Sequence, residues 1–135
     1  MATDEELLLV QTLEDNWDTD NSPLPKFYYD DSIQNHSFRT DNAVKIYTLT
    51  NRSAPKGIGY DSERIEIRLT IDLRSRDRAT FLTDRDEIKR IIHLKRKTLT
   101  GYDICKITNE NKIANYLNFF QNIFEIQLTK YYTAL

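Results

Sequence analysis

The sequence predicts a single α+β domain in which a β-sheet is flanked on one face by an N-terminal helix and a central helix. Three observations carry this prediction: an amphipathic segment at the N-terminus, a second one near the middle, and strand-like alternation in most of the remaining segments. The chain has 135 residues, which suits one domain spanning 1–135. We expect an antiparallel or mixed sheet that includes a long β-hairpin.

The first helix is predicted for residues 4 to 17. Thr3 and Glu6 have the spacing of a capping box, in which each side chain bonds the backbone amide of the other residue. The apolar residues that follow recur at helical spacing: Leu9, Leu13 and Trp17. They share one face, so this helix is amphipathic. The next segment, 18–25, is polar and holds two prolines, which predicts a loop.

Two strands are predicted before residue 51. Lys26–Tyr29 is the first, and the polar segment 30–42 that follows reads as a loop or an irregular edge. Val44–Thr50 is the second, with its residues alternating between two faces. Residues 51–59 predict a long turn that forms the tip of a hairpin. Turns of this length are uncommon and often carry a function.

The segment from 63 to 74 has the strictest alternation in the chain. Its odd positions are apolar: Ile65, Ile67, Leu69, Ile71 and Leu73. Its even positions are charged or polar: Arg64, Glu66, Arg68, Thr70, Asp72 and Arg74. Successive side chains of a strand point to opposite faces, so one face needs a core and the other faces water or a partner.

The central helix and the C-terminal strands follow. Ser75 or Asp77 can cap the helix, and Gly101 is a candidate stop signal after it. Strands are then predicted at Tyr102–Ile107, over 113–120 and from Ile123 to about Tyr132, with a turn at Asn109–Asn111. Short connections between consecutive strands favour antiparallel pairing.

Composition limits the classes of function. Hydrophobic residues make up 39% of the chain and charged residues 30%, and 19 basic residues face 21 acidic ones for a net charge of −2. Proteins that coat DNA are usually strongly basic, so this balance argues against that class. The acidic N-terminus and the lack of a long apolar run predict a soluble protein that is not exported. Gly57 and Gly59 lack the third glycine of a phosphate-binding loop.

The candidate catalytic and metal-binding residues are weak. His36, His93 and the single cysteine, Cys105, lie in no recognisable motif, and Cys105 is best read as an inert residue of a strand. Glu66 and Asp72 share a strand face but lie about 20 Å apart along it, too far to bind one ion. The acidic runs 30–31 and 84–87 read as turn and helix surface. The sequence therefore predicts no enzyme, no catalytic residue, no cofactor and no metal.

Two further clusters have alternative interpretations. The basic cluster between Lys89 and Lys97 could contact phosphate, which leaves a small nucleic-acid-binding domain as an alternative function. It lacks interleaved aromatic residues, so a solvated helix end is favoured. Aromatic residues are concentrated near the C-terminus, where they either pack in the core or form an interface: Phe119, Phe120, Phe124, Tyr131 and Tyr132.

The order of elements resembles that of the tail terminator, or tail-completion, proteins of long-tailed bacteriophages and archaeal tailed viruses. The resemblance covers the chain from about Glu5 to Tyr132. It rests on the N-terminal helix, the hairpin that ends in Ile65–Arg74, the helix after Arg76-Asp77-Arg78-Ala79, the Gly101-Tyr102-Asp103 start of a strand, and the alternating strand Ile123–Leu128.

This resemblance implies a structural virion protein with no catalytic residue. It would form a ring, a homohexamer, that caps the tail tube, ends its growth and joins the tail to the head connector. The implied partners are other copies of the chain, the tail tube protein and the connector protein, with no membrane and no specific nucleic acid. Passage of the genome through the ring is compatible with this role. The implied location is the head-proximal end of the tail, and the host cytoplasm during assembly. Another neck or head–tail connector component is the nearest alternative.

The interface positions come from this sequence alone and not from the family. We expect them in the hairpin tip, 52–59, and on the charged face of the long strand. The predicted residues are Arg52, Lys56, Arg64, Glu66, Arg68, Asp72 and Arg74. Their mixed charge suits a specific contact with another copy more than a nucleic-acid track.

Overall fold

The structure, a computed structural model, describes residues 3–29, 43–55, 62–113 and 120–133. Its elements in chain order are α1 (Asp4–Asn16), β1 (Lys26–Tyr29), β2 (Ala43–Pro55), β3 (Ser62–Ser75), α2 (Arg78–Leu94), β4 (Ile104–Ile113) and β5 (Phe120–Thr133). Two helices and a five-stranded sheet make this an α+β domain, as the sequence predicted.

The sheet is mixed, with the strand order β1-β2-β3-β5-β4. β1 runs parallel to β2, whereas β2, β3, β5 and β4 pair antiparallel with their neighbours. β3 is therefore the central strand, and its strict alternation is the pattern expected of a strand that has a different environment on each face. The turn predicted for 51–59 is wrong in its first half, because residues 51–55 belong to β2 and pair with β3 as far as Pro55 opposite Glu63. The rest of the predicted tip, 56–59, lies outside the described residues.

The apolar side chains of β3 lie in one hydrophobic core with both helices. Leu69, Ile71 and Leu73 are fully buried, and the register places Ile126 and Phe124 of β5 beside the first two. The same core includes the inner residues of the helices: Leu9, Val10 and Leu13 of α1, and Phe81, Ile88, Ile91 and Ile92 of α2. Both helices thus cover the same face of the sheet.

The start of α1 follows the predicted capping box. The Thr3 hydroxyl accepts a hydrogen bond from the Glu6 amide at 3.2 Å, and the Glu6 carboxylate accepts one from the Thr3 amide at 3.4 Å. The Glu6 side chain is buried because it also accepts the amide of Thr48 in β2 at 3.1 Å. The cap therefore fixes the start of α1 and ties α1 to the sheet.

α2 begins at the predicted cap but ends earlier than expected. Asp77 accepts the amide of Thr80 at 2.9 Å, which satisfies one of the free amides in the first turn. The helix ends at Leu94, and turns occupy 95–101. Gly101 is not its stop signal, which corrects the prediction; its positive φ of 85° serves the turn that leads into β4.

The predicted turn at Asn109–Asn111 is wrong. These residues lie inside β4, which continues to Ile113 and pairs with β5 after an irregularity between Ile107 and Asn109. Polar residues suit this position because β4 is an edge strand and its residues from Thr108 to Lys112 are exposed. The predicted strand over 113–120 lies mainly outside the described residues, as does the predicted loop 30–42.

Candidate interaction surface

The face of the sheet opposite the helices carries the even-numbered side chains of β3. No helix among the described residues covers this helix-free face. The strand register places Gln127 of β5 between Arg68 of β3 and Lys106 of β4, so these three side chains form one row across the sheet. Glu66 and Thr129 lie in the next row.

Several of the predicted interface residues pair with one another on this face. A guanidinium nitrogen of Arg64 lies 3.5 Å from the Glu66 carboxylate, and Arg74 lies at the same distance from Asp72. Arg52 is the cross-strand neighbour of Glu66 in the β2–β3 register, but its side chain lies outside the described part of the chain. Lys56 lies outside it altogether.

The expectation that the polar face of β3 is solvated is wrong for its two carboxylates. Glu66 is only 8% exposed and Asp72 only 5%. β3 is the central strand, so both carboxylates have a neighbouring strand on each side. Gln121 donates to Asp72 at 2.9 Å and Gln127 to Glu66 at 3.3 Å, and burial raises the pKa of Asp72 despite Gln121 and Arg74.

Arg68 and Lys106 behave differently from those carboxylates. Both side chains are exposed, and neither has an ion-pair partner among the residues that the structure describes. The half-buried Glu125 lies one row away from them. The solvent-facing charge at the centre of the helix-free face is therefore positive.

The outer face of α1 has the opposite charge. Its exposed residues lie at helical spacing: Asp4, Leu7, Gln11, Glu14 and Asp15. We call these five residues the acidic stripe. The first 25 residues of the chain contain no lysine or arginine, so no nearby cation of the same segment offsets these carboxylates. Leu7 is 46% exposed within the stripe.

A second polar site joins the segment after α1 to α2. The Ser22 hydroxyl donates to the Asp84 carboxylate at 2.6 Å, and Glu87 accepts two hydrogen bonds from Arg90, at 2.7 and 2.8 Å. Asp84 is 1% exposed and Glu87 5%, so the prediction that run 84–87 is helix surface is wrong for both. The burial of Asp84 could have been predicted from helical spacing, because it lies three residues after Phe81 and four before Ile88 and so shares their buried face.

The environments of these two carboxylates shift their acidities in opposite directions. Burial raises the pKa of Asp84 to about 6, with the charge of Glu87 adding to the effect and the bond from Ser22 opposing it. The other oxygen of Asp84 is buried without a hydrogen-bond partner in the described structure. The pKa of Glu87 is lowered because Arg90 donates to it. The carboxylate with a cation beside it is thus the stronger acid of the two.

The residues considered for catalysis are unremarkable in their surroundings. Cys105 is buried in β4, which confirms the predicted strand position, and burial raises the pKa of its thiol to about 12. His93 is exposed at the end of α2, with a ring nitrogen 3.0 Å from Arg96. His36 lies outside the described residues, among which no group of His, Cys, Asp and Glu is placed to hold a metal ion.

The basic cluster at the end of α2 is partly neutralised. Lys89 bonds Glu110 of β4 at 3.0 Å, and Arg90 pairs with Glu87. Arg96 donates to the carbonyl of His93 at 3.2 Å, which places its charge at the negative end of the helix dipole. These contacts agree with the interpretation of the cluster as a helix end.

The C-terminal aromatic residues are divided between core and surface. Phe124 is fully buried, and the ring of Phe120 lies 5.7 Å from that of Phe81. Tyr131 is exposed on β5. Phe119 and the side chain of Tyr132 lie outside the described part of the chain.

A cleft of about 200 Å³ lies between α1 and the turns after α2. It is lined by Leu8, Gln11, Thr12, Asp15, Asn16, Lys95, Thr98, Leu99 and Thr100. The polar groups that α1 contributes already bond within the helix, as in the 2.9 Å bond from Gln11 to Asp15.

The described helices include none that is long and apolar enough to cross a membrane. No protein-family model matches this sequence, and no curated protein matches it either.

Proposed function

We propose that this protein is a structural virion component of the tail terminator type. In this role it forms a ring, a homohexamer, that caps the tail tube, ends its growth and joins the tail to the head connector. The observation that carries the proposal is the order of elements around one sheet, α-β-β-β-α-β-β, with both helices on one face. That order is the pattern on which the resemblance to tail terminators rests.

Two features of the surface support an assembly role. The helix-free face exposes Arg68 and Lys106 without described ion-pair partners, and α1 exposes carboxylates on its outer face. Complementary charges at a contact favour specificity and register between partners. A ring that caps a tube acts by contact alone, so the proposed role requires no catalytic group.

The test uses virus particles whose genome encodes this chain. We expect mass spectrometry to find the chain in purified particles, and electron microscopy to place it as a ring at the head-proximal end of the tail. Deletion of the gene should yield tails of uncontrolled length. A protein that is strictly monomeric and absent from particles contradicts the proposal. A ring on the head side of the joint, with tail length unchanged, identifies a neck or connector component instead.

A small nucleic-acid-binding domain remains the alternative from another class. It would use the cations at the end of α2, of which Lys89 and Arg90 already pair with carboxylates. The alternative predicts binding to DNA or RNA that weakens steeply with salt and is lost in Lys95→Glu/Lys97→Glu. We expect this variant to enter particles as the unchanged protein does, and its exclusion from particles together with loss of nucleic-acid binding would favour the alternative.

A further inference from the structure

Two oppositely charged surfaces lie on opposite sides of this domain. The acidic stripe is on the outer face of α1, which packs on the core side of the sheet. Arg68 and Lys106 lie on the helix-free face, on the far side of the same sheet. The two surfaces therefore cannot meet within one copy of the chain.

We propose that the acidic stripe of one copy docks on the helix-free face around Arg68 and Lys106 of the next copy. This inference rests on the proposed ring and identifies the contact that builds it. A contact between two different surfaces is heterologous, and repeated heterologous contacts close into rings when the rotation between copies permits. A contact of one surface with itself would instead stop at a dimer.

The side chains at the two surfaces are complementary in charge. Glu14 and Asp15 supply carboxylates at one end of the stripe and Asp4 supplies one at the other. Arg68 and Lys106 supply the cations, and arginine is enriched at interfaces because its planar guanidinium bonds carboxylates through two nitrogens. Two carboxylates of the helix-free face, Glu66 and Asp72, oppose this contact little because they are buried, and the third, Glu125, is half-buried one row away.

The surfaces also match in their apolar groups. Leu7 is exposed in the middle of the acidic stripe. The half-buried Ile104 and Ile123 share the helix-free face with the Arg68–Lys106 row, as the strand register shows. Packing Leu7 against Ile104, which lies in the row next to Lys106, removes apolar surface from water on both copies. This adds a favourable term that salt does not screen.

The test compares two charge-reversal variants of the full chain, Glu14→Lys/Asp15→Lys and Arg68→Glu/Lys106→Glu. Sedimentation is measured from micromolar to millimolar protein, at low and raised salt. We expect the unchanged protein to self-associate, more weakly in salt, and each variant alone to associate at least about tenfold more weakly, since tenfold corresponds to only about 1.4 kcal/mol. An equimolar mixture of the two variants should recover association, because every contact in an alternating assembly then pairs opposite charges.

Matched controls carry the same change of charge elsewhere on exposed positions. They are Asp20→Lys/Asp86→Lys, which leaves the acidic stripe intact, and Arg78→Glu/Lys97→Glu, which alters exposed cations at the start of α2 and in the turns after it. We expect both controls to associate as the unchanged protein does. Loss of association in the second control, with none in Arg68→Glu/Lys106→Glu, overturns the proposal in favour of a contact on the helix side.

The proposal is also overturned if the unchanged protein stays monomeric under all these conditions, or if mixing the two variants restores nothing. Failure of this contact and failure of the proposed function give different results. Variants that still form rings in virus particles remove the contact and leave the function standing. Absence of the unchanged chain from particles removes the function itself.

Discussion

The two faces of β3 bury their side chains by different means. On the apolar face, Leu69 and Ile71 are fully buried because two helices cover them. On the other face, Glu66 and Asp72 are nearly as buried although no described helix covers them, because glutamines of β5 bond their carboxylates. Alternation therefore determines which face a residue occupies, whereas its exposure depends on the helices or side chains that pack over it.

Buried carboxylates on the two sides of the sheet differ in the groups that bond them. Asp72, on the helix-free face, has a glutamine and an arginine within hydrogen-bond distance. Asp84, on the helix side, has one hydroxyl partner and a second carboxylate nearby. Burial raises the pKa of both, and it does so to about 6 for Asp84, where no cation compensates.

The largest effect is expected from truncating the apolar face. Ile71→Ala should lower the free energy of unfolding by about 3 to 4 kcal/mol, because it leaves a cavity under the helices. Arg68→Ala, on the exposed part of the opposite face, should change it by no more than about 0.5 kcal/mol. Urea unfolding of the two variants measures the difference. Equal losses of unfolding free energy in the two variants would show that the cover of helices over one face does not determine how much each face contributes to stability.

A smaller effect is expected from the pH dependence at Asp84. Its pKa in the folded chain, about 6, lies above the ordinary value of 3.8, so the folded state favours the protonated carboxyl. The folded protein is therefore most stable with respect to this group below about pH 4. Its free energy of unfolding decreases by up to about 3 kcal/mol as the pH rises through 6.

Asp84→Asn removes this titration while keeping a polar side chain beside Ser22. We expect the difference in stability between the unchanged protein and Asp84→Asn to decrease as the pH rises from 4 to 7, measured by thermal or urea unfolding. Asp86→Asn, two residues away and exposed, makes the same change at the helix surface and is the matched control. A constant difference for Asp84→Asn contradicts the predicted titration.

The smallest effect concerns the cap of the helix that covers the apolar face. Thr3→Ala should cost about 1 kcal/mol, since it removes the oxygen that accepts the Glu6 amide. Thr3→Ser keeps that oxygen and should cost clearly less. Thermal unfolding of the two variants provides the comparison, and equal losses would mean that the hydroxyl contributes nothing to stability.

Sequence patterns predicted local structure well where one physical constraint dominated. The capping box at Thr3 and Glu6, the cap at Asp77 and the alternation through Ile71 all depend on residues close in the chain. The turn predicted at Asn109–Asn111 failed because pairing with β5 outweighs the turn preference of asparagine. Gly101 failed as a stop signal because α2 ends seven residues earlier.

The candidate surface was predicted only in part, because its residues come from three strands. Arg68 was expected at an interface, but its row also includes Gln127 and Lys106, which become neighbours only through the β3–β5–β4 register. The carboxylates of α1 were visible in the sequence as an acidic segment. That they lie on the other side of the sheet from the helix-free face is known only from the structure, which shows the face that α1 covers.

The amino-acid sequence alone specified the fold class, the helix caps and the division of β3 into two faces, because these follow from local geometry and from the period of apolar residues. Tertiary packing was needed to bury Glu66 and Asp72 on β3 while leaving Arg68, which lies between them, exposed. It was also needed to bury Asp84 on α2. The physical reason is that burial depends on what lies across the strand or beyond the helix, at positions distant in the chain. Charged side chains on the same face of β3 therefore differ in burial, although the alternation of the sequence treats them alike.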